Sequence, residues 1–581
     1  SVGSIDVGVP TRDWVRKRSL LQRVRSAGWG ARIGWLVLLI GVGYLVLRPL
    51  VKLQQKALAA HSYSRMWDDP QFGSIVRNTV LLAVGSVVIA LVVGTLMAWS
   101  AYNLPRRLRF LAVLPILSIM VPPLAQVTGW VFLFSRKVGY LNTFLRHLPW
   151  WSSLRRGPVD VNTLPWIVII TAIMLVPFVY LFVLTSLRAM DASTFEAAAI
   201  SGAGSTKSFV QIILPSLRPA LVYSGSICLV LGLGQFTAPL ILGRQAEINV
   251  ITTSMYAASN SAPPDFGLAS AYGSPLLILG VLVILVQRML TKNRERYQTL
   301  STRGHRSANA GHKLAAVPIL AYVFIAIMLP IAALLVVGLS PFWSGTIDFG
   351  AFTLNNFRKA YHDPNVVSAV KTTLDAVVIA TAIVVPLGFA CATAMVTRRG
   401  PGKVLRAIYE FLVGLPLSVP GIVFGAGILY AYSQGSIILY GGISIFVVAY
   451  VTALLPFVTR MMQSGLVSTG ESVVEASRVA GAGVIRTQLA VVVPIMRGSI
   501  AAAAGVALAL LSQEFAASSM VRSREHNSLG PLFYDVWSQG YVSQASVLAL
   551  TMCAISVVTV AVAMAIGGRG AVERATNGGM S

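Results

Sequence analysis

The chain has 581 residues, of which 55% are hydrophobic and 11% charged, with a mean hydropathy of +0.73. That charged share is less than half the usual one for a soluble domain, which excludes a disordered chain, a nucleic-acid-binding globule and most soluble enzymes. The net charge of +26 lies in short tracts between long apolar runs, as in proteins that orient themselves across a bilayer. The expected class is an all-α polytopic membrane protein.

Residues 1–32 form a basic tail with Arg12, Arg16, Lys17, Arg18, Arg23, Arg25 and Arg32. The run from Ile33 to Val51 is too long for a signal-peptide core and lacks a small-residue cleavage site. It is therefore predicted as a retained span, with the tail in the cytoplasm. Apolar runs then predict about twelve transmembrane helices: 33–51, 75–100, 110–134, 164–187, 219–243, 266–287, 314–340, 368–396, 405–432, 442–465, 498–518 and 542–566. With the N-terminus inside, the inside segments together with Arg406 and Arg460 of the adjoining spans hold 30 Lys and Arg, and the outside loops 13. Arg48, Arg77 and Lys371 lie at span ends, and the last two are predicted to snorkel. The bias supports this orientation, with both termini cytoplasmic. One outside loop, 135–163, runs against it, being basic and carrying Trp150 and Trp151.

The polar, basic segment 291–313 reads as a cytoplasmic linker between two halves, 33–290 and 314–566, followed by a cytoplasmic tail, 567–581. The halves align in blocks. Asp69-Pro70 and SIVRNT (74–79) match Asp363-Pro364 and SAVKTT (368–373) at an offset of 294. Val121-Pro122 matches Val419-Pro420 at 298, and Pro177-Phe178-Val179 matches Pro456-Phe457-Val458 at 279, an offset that holds through Phe236 and Phe515. The drop from 298 to 279 places a 19-residue insertion in loop 135–163. Six spans per half make the duplication parallel, with a pseudo-two-fold axis along the membrane normal.

Two matching segments stand between the fourth and fifth spans of each half: EAAAISGAGSTKSFVQIILP (196–215) and EASRVAGAGVIRTQLAVVVP (475–494). The Glu-Ala-Ala stretch favours helix and the following glycine pair should end it. A second short helix then runs to the proline, predicted at the start of the next span. This pattern resembles the EAA loop of permease subunits of ABC importers. The first copy fits at Glu196, Ala197, Ala198, Gly202, Ile212, Leu214 and Pro215. The second fits at Glu475, Ala476, Gly481 and Pro494, and departs at Ser477, Val491 and Val493; Gly204 and Gly483 match each other between the copies. The resemblance implies that each elbow docks on a partner and couples it to the spans. The implied partners are a homodimeric ATP-binding cassette ATPase on the cytoplasmic face and an extracytoplasmic solute-binding protein. It also implies a bacterial inner-membrane location, with no nucleic-acid partner.

SGAGSTKS (201–208) approaches a phosphate-binding P-loop, but Ser201 and Thr206 occupy the positions of its two glycines. ATP and Mg are thus expected on the partner ATPase, with no cofactor on this chain, which is not itself an enzyme. Cys228, Cys391 and Cys553 lie in or beside apolar stretches, without metal-ligand spacing, and no metal site is expected. For the translocation pathway the candidates are Gln235, Phe236, Glu514, Phe515 and Asp375, since ionisable residues within spans are functional by default. Gln235 and Glu514 are repeat equivalents and would face each other across the pseudo-axis. Glu410 reads as a span-end residue. Pro122, Pro123, Pro416 and Pro420 should kink the third and ninth spans, and Gly421 and Gly425 offer a close-packing face.

Two homologous halves in one chain, with the phrase QFTAPLILG (235–243), resemble ferric-iron permeases; thiamine, polyamine and aminophosphonate permeases belong to the same broad group. A secondary transporter of the major facilitator kind also has two parallel six-span halves. Its glycine- and acid-containing signature is missing from AYNLPRRLRF (101–110). No constellation of inward His, Asp and metal ligands points to a membrane enzyme.

Overall fold

The computed structural model describes residues 29–190, 209–291, 312–396 and 402–567. Most of the basic tail and linker, the C-terminal tail, and Glu196, Ala197, Ala198, Gly202 and Gly204 lie outside the described residues. Within them every regular element is helical. Eight helices are long and apolar enough to span a bilayer, and four bent pairs bring the number to twelve.

Spans 1, 2, 4 and 6 of the first half are Trp29–Leu58, Phe72–Tyr102, Leu164–Ala189 and Phe266–Thr291. Their counterparts 7, 8, 10 and 12 are Lys313–Leu339, Pro364–Val396, Ile443–Thr469 and Val542–Gly567. The remaining four are broken. Span 3 bends by 93° between Arg106–Met120 and Pro123–Phe134, and span 9 by 108° between Lys403–Ser418 and Gly421–Tyr432. Span 5 bends by 63° between Phe209–Ser216 and Arg218–Leu233, and span 11 by 75° between Ile485–Ile495 and Arg497–Ser512. The first two breaks fall at Val121-Pro122 and Val419-Pro420, where proline removes an amide donor and clashes with the preceding turn. Pro416, by contrast, stays inside its helix.

The duplication is visible in the backbone residue by residue. The π-turn Phe209–Ile213 and the helix Arg218–Leu233 recur as Gln488–Val492 and Arg497–Ser512, all at an offset of 279. Pro123–Phe134 recurs as Gly421–Tyr432 at 298. Each half also sends its first span across to the other. Span 1 packs against Gly421–Tyr432 of the second half, and span 7 against Pro123–Phe134 of the first. Glycine makes both crossings close. A Cβ on Gly427 would lie 2.7 Å from the carbonyl oxygen of Pro49, and one on Gly129 would lie 2.5 Å from the Cα of Pro330. Arg48 of span 1 fastens the first crossing, donating to the Ala431 carbonyl at 2.9 Å and stacking over Tyr432. Gln126 fastens the second, donating to the Ala326 carbonyl at 2.8 Å.

Candidate functional site: an elbow joined to an aromatic closure

The second elbow begins with the helix Glu471–Val479, on which Glu475 and Ala476 are exposed. The helix ends at Gly481, whose φ of +88° is the left-handed conformation that glycine adopts without a Cβ penalty. Gly481 donates its N–H to the Arg478 carbonyl at 3.0 Å, and Ala482 donates to Ser477 at 3.2 Å, so the last carbonyls are satisfied. Gly483 has an ordinary φ, and nothing lies within 4 Å of where its Cβ would be. The hydroxyls of Ser477 and Thr487 meet at 3.1 Å and tie the two limbs together. Val479, Ile485 and Leu489 present 89%, 75% and 64% of their surface, large apolar side chains left uncovered among the described residues. Pro494 sits in the short helix Val493–Ile495, and the next helix begins at Arg497. The proline, expected at the start of the span, therefore stands beside the bend of span 11, at the end of its first limb. Ile212, Leu214 and Pro215 take the equivalent places in the first half, before the helix Arg218–Leu233.

The far ends of those two helices meet at the centre of the molecule. Arg218–Leu233 ends at Gln235 and Phe236, and Arg497–Ser512 at Glu514 and Phe515. The rings of Phe236 and Phe515 stack across the halves, 5.2 Å between centroids and 26° between planes, with only 2% and 4% of their surface exposed. The breaks of spans 3 and 9 close on the same place. Gln513 donates to the Ile119 carbonyl at 3.1 Å, and a Cβ on Gly234 would lie 2.9 Å from Pro420. Gly421 faces Glu514 and Gly425 packs on the backbone of Ala517, as the small-residue spacing predicts. Four interrupted helices thus converge at one level. Irregular backbone at this depth is tolerated only where protein or a cavity supplies its partners.

Here the two polar residues act as caps. Gln235 Oε1 accepts the N–H of Phe236 at 3.0 Å. The Glu514 carboxylate accepts the N–H groups of Ala517 at 2.7 Å and Ser518 at 2.9 Å, and the Ser518 hydroxyl. Tyr450 completes this network with a 3.0 Å contact to Ser518 Oγ. Asp375 is not brought to this point. It lies on the exposed flank of span 8 with Leu374 and Val378, while Thr372, Thr373, Ala376 and Val377 face inward. Glu410 is likewise exposed.

Above the phenylalanine stack lies a second layer that sequence reasoning missed. Tyr256 packs on Phe236 at 5.3 Å, Tyr534 on Phe515 at 6.3 Å, and the two tyrosines meet at 5.9 Å. Their recurrence at an offset of 278 was a signal available in the sequence. Farther out on the same side, Arg65 forms two hydrogen bonds to Asp265 and holds its carboxyl below the usual carboxylate range. That pair ties the segment after span 1 to the one before span 6.

Residues 90–296 and 384–569 both match the binding-protein-dependent transport system inner membrane component family. The chain belongs to this family, carrying its domain twice. This permease is 26% identical over 444 residues to the ferric transport system permease protein FbpB of Actinobacillus pleuropneumoniae, covering 74% of the chain and 62% of the relative. A putative ferric transport system permease protein of Haemophilus influenzae is 26% identical over 454 residues, 74% of the chain and 67% of the relative. The spermidine/putrescine transport system permease protein PotB of Escherichia coli is 25% identical over 276 residues, 45% of the chain and 98% of its own length. The family makes the chain an inner membrane component of a binding-protein-dependent transport system, and the chain spans 62% of the first of these relatives.

Proposed function

We propose that this permease carries ferric iron inward across a bacterial inner membrane, taking it from an extracytoplasmic binding protein. The elbows then face the cytoplasm and grip a homodimeric ATPase that holds the ATP and Mg, and both termini are cytoplasmic. The carrying observation is mechanical. The elbow bends into Arg497–Ser512, and the far end of that one helix bears Glu514 and Phe515. Sixteen residues at 1.5 Å each make a lever of about 24 Å between docking surface and closure. The same lever in the first half ends at Phe236. Rotation of the paired elbows by the ATPase therefore pulls the stacked phenylalanines apart, and their return recloses the path. The solute assignment draws on the ferric permeases, whose likeness runs through both halves, whereas that to the polyamine permease spans 45% of the chain.

The test is uptake of radiolabelled ferric iron in matched cells with and without the chain under iron limitation. Deletion is expected to abolish ATP-dependent uptake, and so is the double variant Gly202→Leu, Gly481→Leu, with membrane insertion intact. Unchanged iron uptake on deletion rejects iron. Normal uptake by the double variant rejects the coupling role of the elbows.

A further inference from the structure

The tyrosine layer carries an arginine from each half. Arg244 and Arg522 recur at the same offset of 278 as Tyr256 and Tyr534. Arg244 Nη1, from the first half, donates to Tyr534 Oη of the second at 2.8 Å. Arg522 donates to both carboxylate oxygens of Asp535 at 2.7 and 2.6 Å. The Tyr256 hydroxyl feels both guanidinium groups and the Asp535 carboxylate. Exposure rises in order through these layers: the phenylalanines are buried, the tyrosines are 7% and 6% exposed, and Arg244 is open to solvent. The cluster therefore stands at the mouth opposite the elbows, directly over the closure.

Its charge is not balanced. Asp535 answers Arg522, but no carboxylate among the described residues lies within ion-pair distance of Arg244. By accepting from Arg244, Tyr534 keeps its own O–H free to donate. The Arg244 guanidinium beside a free hydroxyl is a donor pair with no carboxylate to answer it, and Arg522, which keeps Asp535, adds a second guanidinium nearby. This set matches the oxygens of a phosphate, phosphonate or carboxylate. A bare cation arriving at this mouth meets like charge first. Nor do the described residues offer a metal ion a cluster of three or more His, Cys, Asp or Glu.

We infer that Arg244, with Tyr534 and Arg522, forms an oxyanion-recognition site at the mouth of the pathway, through which the solute passes as an oxyanion or as a metal ion wrapped in oxyanion ligands. The inference rests on the importer reading above and narrows it: iron would enter as an anionic chelate, and a free polyamine would be refused.

The test titrates the purified full chain in nanodiscs, by calorimetry, with ferric citrate, citrate, inorganic phosphate, methylphosphonate and spermidine. At least one oxyanion is expected to bind and spermidine is not. Arg244→Gln should weaken oxyanion binding about tenfold or more. Arg244→Lys should lose less, and Tyr534→Phe, which leaves the charge in place, should stay within about threefold. Citrate binding without its iron separates a free anion from a chelate as the recognised form. Binding of spermidine alone, or oxyanion binding unchanged in Arg244→Gln, overturns the proposal. So does an absence of oxyanion binding, and if Arg244→Gln then weakens attachment of the solute-binding protein, Arg244 is reassigned to a carboxylate on that partner. The readout needs neither ATPase nor transport, so its failure is separable from failure of the importer reading, which the uptake experiment tests.

Discussion

The turns that end Arg218–Leu233 and Arg497–Ser512 have matching positions and different chemistry. In the first half Gln235 stands where the second has Glu514, and Pro239 stands where the second has Ser518. The two differences explain each other. Glu514 accepts from the backbone N–H of Ala517, from the N–H of Ser518 and from the Ser518 hydroxyl. Proline supplies neither of the last two donors. A single amide oxygen taking one N–H is sufficient in the first half, whereas the second half offers two carboxyl oxygens to three donors. The duplicated backbone thus sets where a polar cap is needed, and the local count of donors sets how many acceptor oxygens that cap presents.

The comparison breaks most severely where the halves exchange their first spans. Leucine at Gly427 or at Gly129 would drive a side chain into the backbone of Pro49 or Pro330, and backbone cannot move aside as a flexible side chain can. Each is expected to cost about 3 kcal/mol or more, and the pair should leave no monodisperse protein. Size-exclusion chromatography of detergent-solubilised chain reads this directly. Equal effects of the two single variants confirm a symmetric exchange. Tolerance of one alone would show that a single crossing holds the halves together.

That exchange was not legible in the sequence, although the spans, their duplication and the breaks at Pro122 and Pro420 were. Fixed-offset matches of proline, glycine and phenylalanine survive the apolar background because these residues have backbone or ring requirements that leucine and valine lack. Which span packs on which cannot be read the same way. Lipid is as apolar as the protein core, so a hydrophobic face does not say whether it meets tails or a neighbour. Asp375 is the instructive case. An acidic residue one turn inside a span reads alike whether it faces a cavity or the headgroups, and here it is on the exposed flank. Arg244 and Tyr534 were hidden for another reason: they sit in short connecting segments 290 residues apart, and only the fold makes them a pair.

Removing the caps sharpens the contrast at a smaller scale. Glu514→Ala strands two amide donors, while the Ser518 hydroxyl keeps the residue 514 carbonyl and Tyr450, and is expected to destabilise the chain by about 2–4 kcal/mol; Gln235→Ala strands one amide and should cost about 1 kcal/mol. Glu514→Gln should fall between. Adding Ser518→Pro to Glu514→Gln copies the first half's chemistry into the second. Proline is compatible with the first turn of the short helix Ser518–Val521 and removes a donor that the amide would leave unmet. The double variant should therefore cost less than the sum of its parts, as a thermal-unfolding mutant cycle in detergent would show. Strict additivity would mean that the capping side chain and the donor count at this turn are independent.

The elbows offer the mildest version of the same comparison. Ser477 is one of the second copy's departures from the Glu-Ala-Ala pattern, and its hydroxyl meets Thr487 at 3.1 Å; the first copy has Ala198 at the equivalent place and cannot make that bond. Ser477→Ala restores the common pattern while removing one partly exposed hydrogen bond, worth about 0.5–1 kcal/mol. Amide hydrogen exchange across 471–487 should rise several-fold, with no change elsewhere. Two elbows that differ in stiffness would respond unequally to a symmetric ATPase, with the tied second elbow moving its helix more faithfully. If so, Ser477→Ala should raise the ATP hydrolysed per solute carried while leaving the ATPase rate itself alone. An unaltered ratio alongside faster exchange would show that the tie stabilises the second elbow without contributing to the stroke.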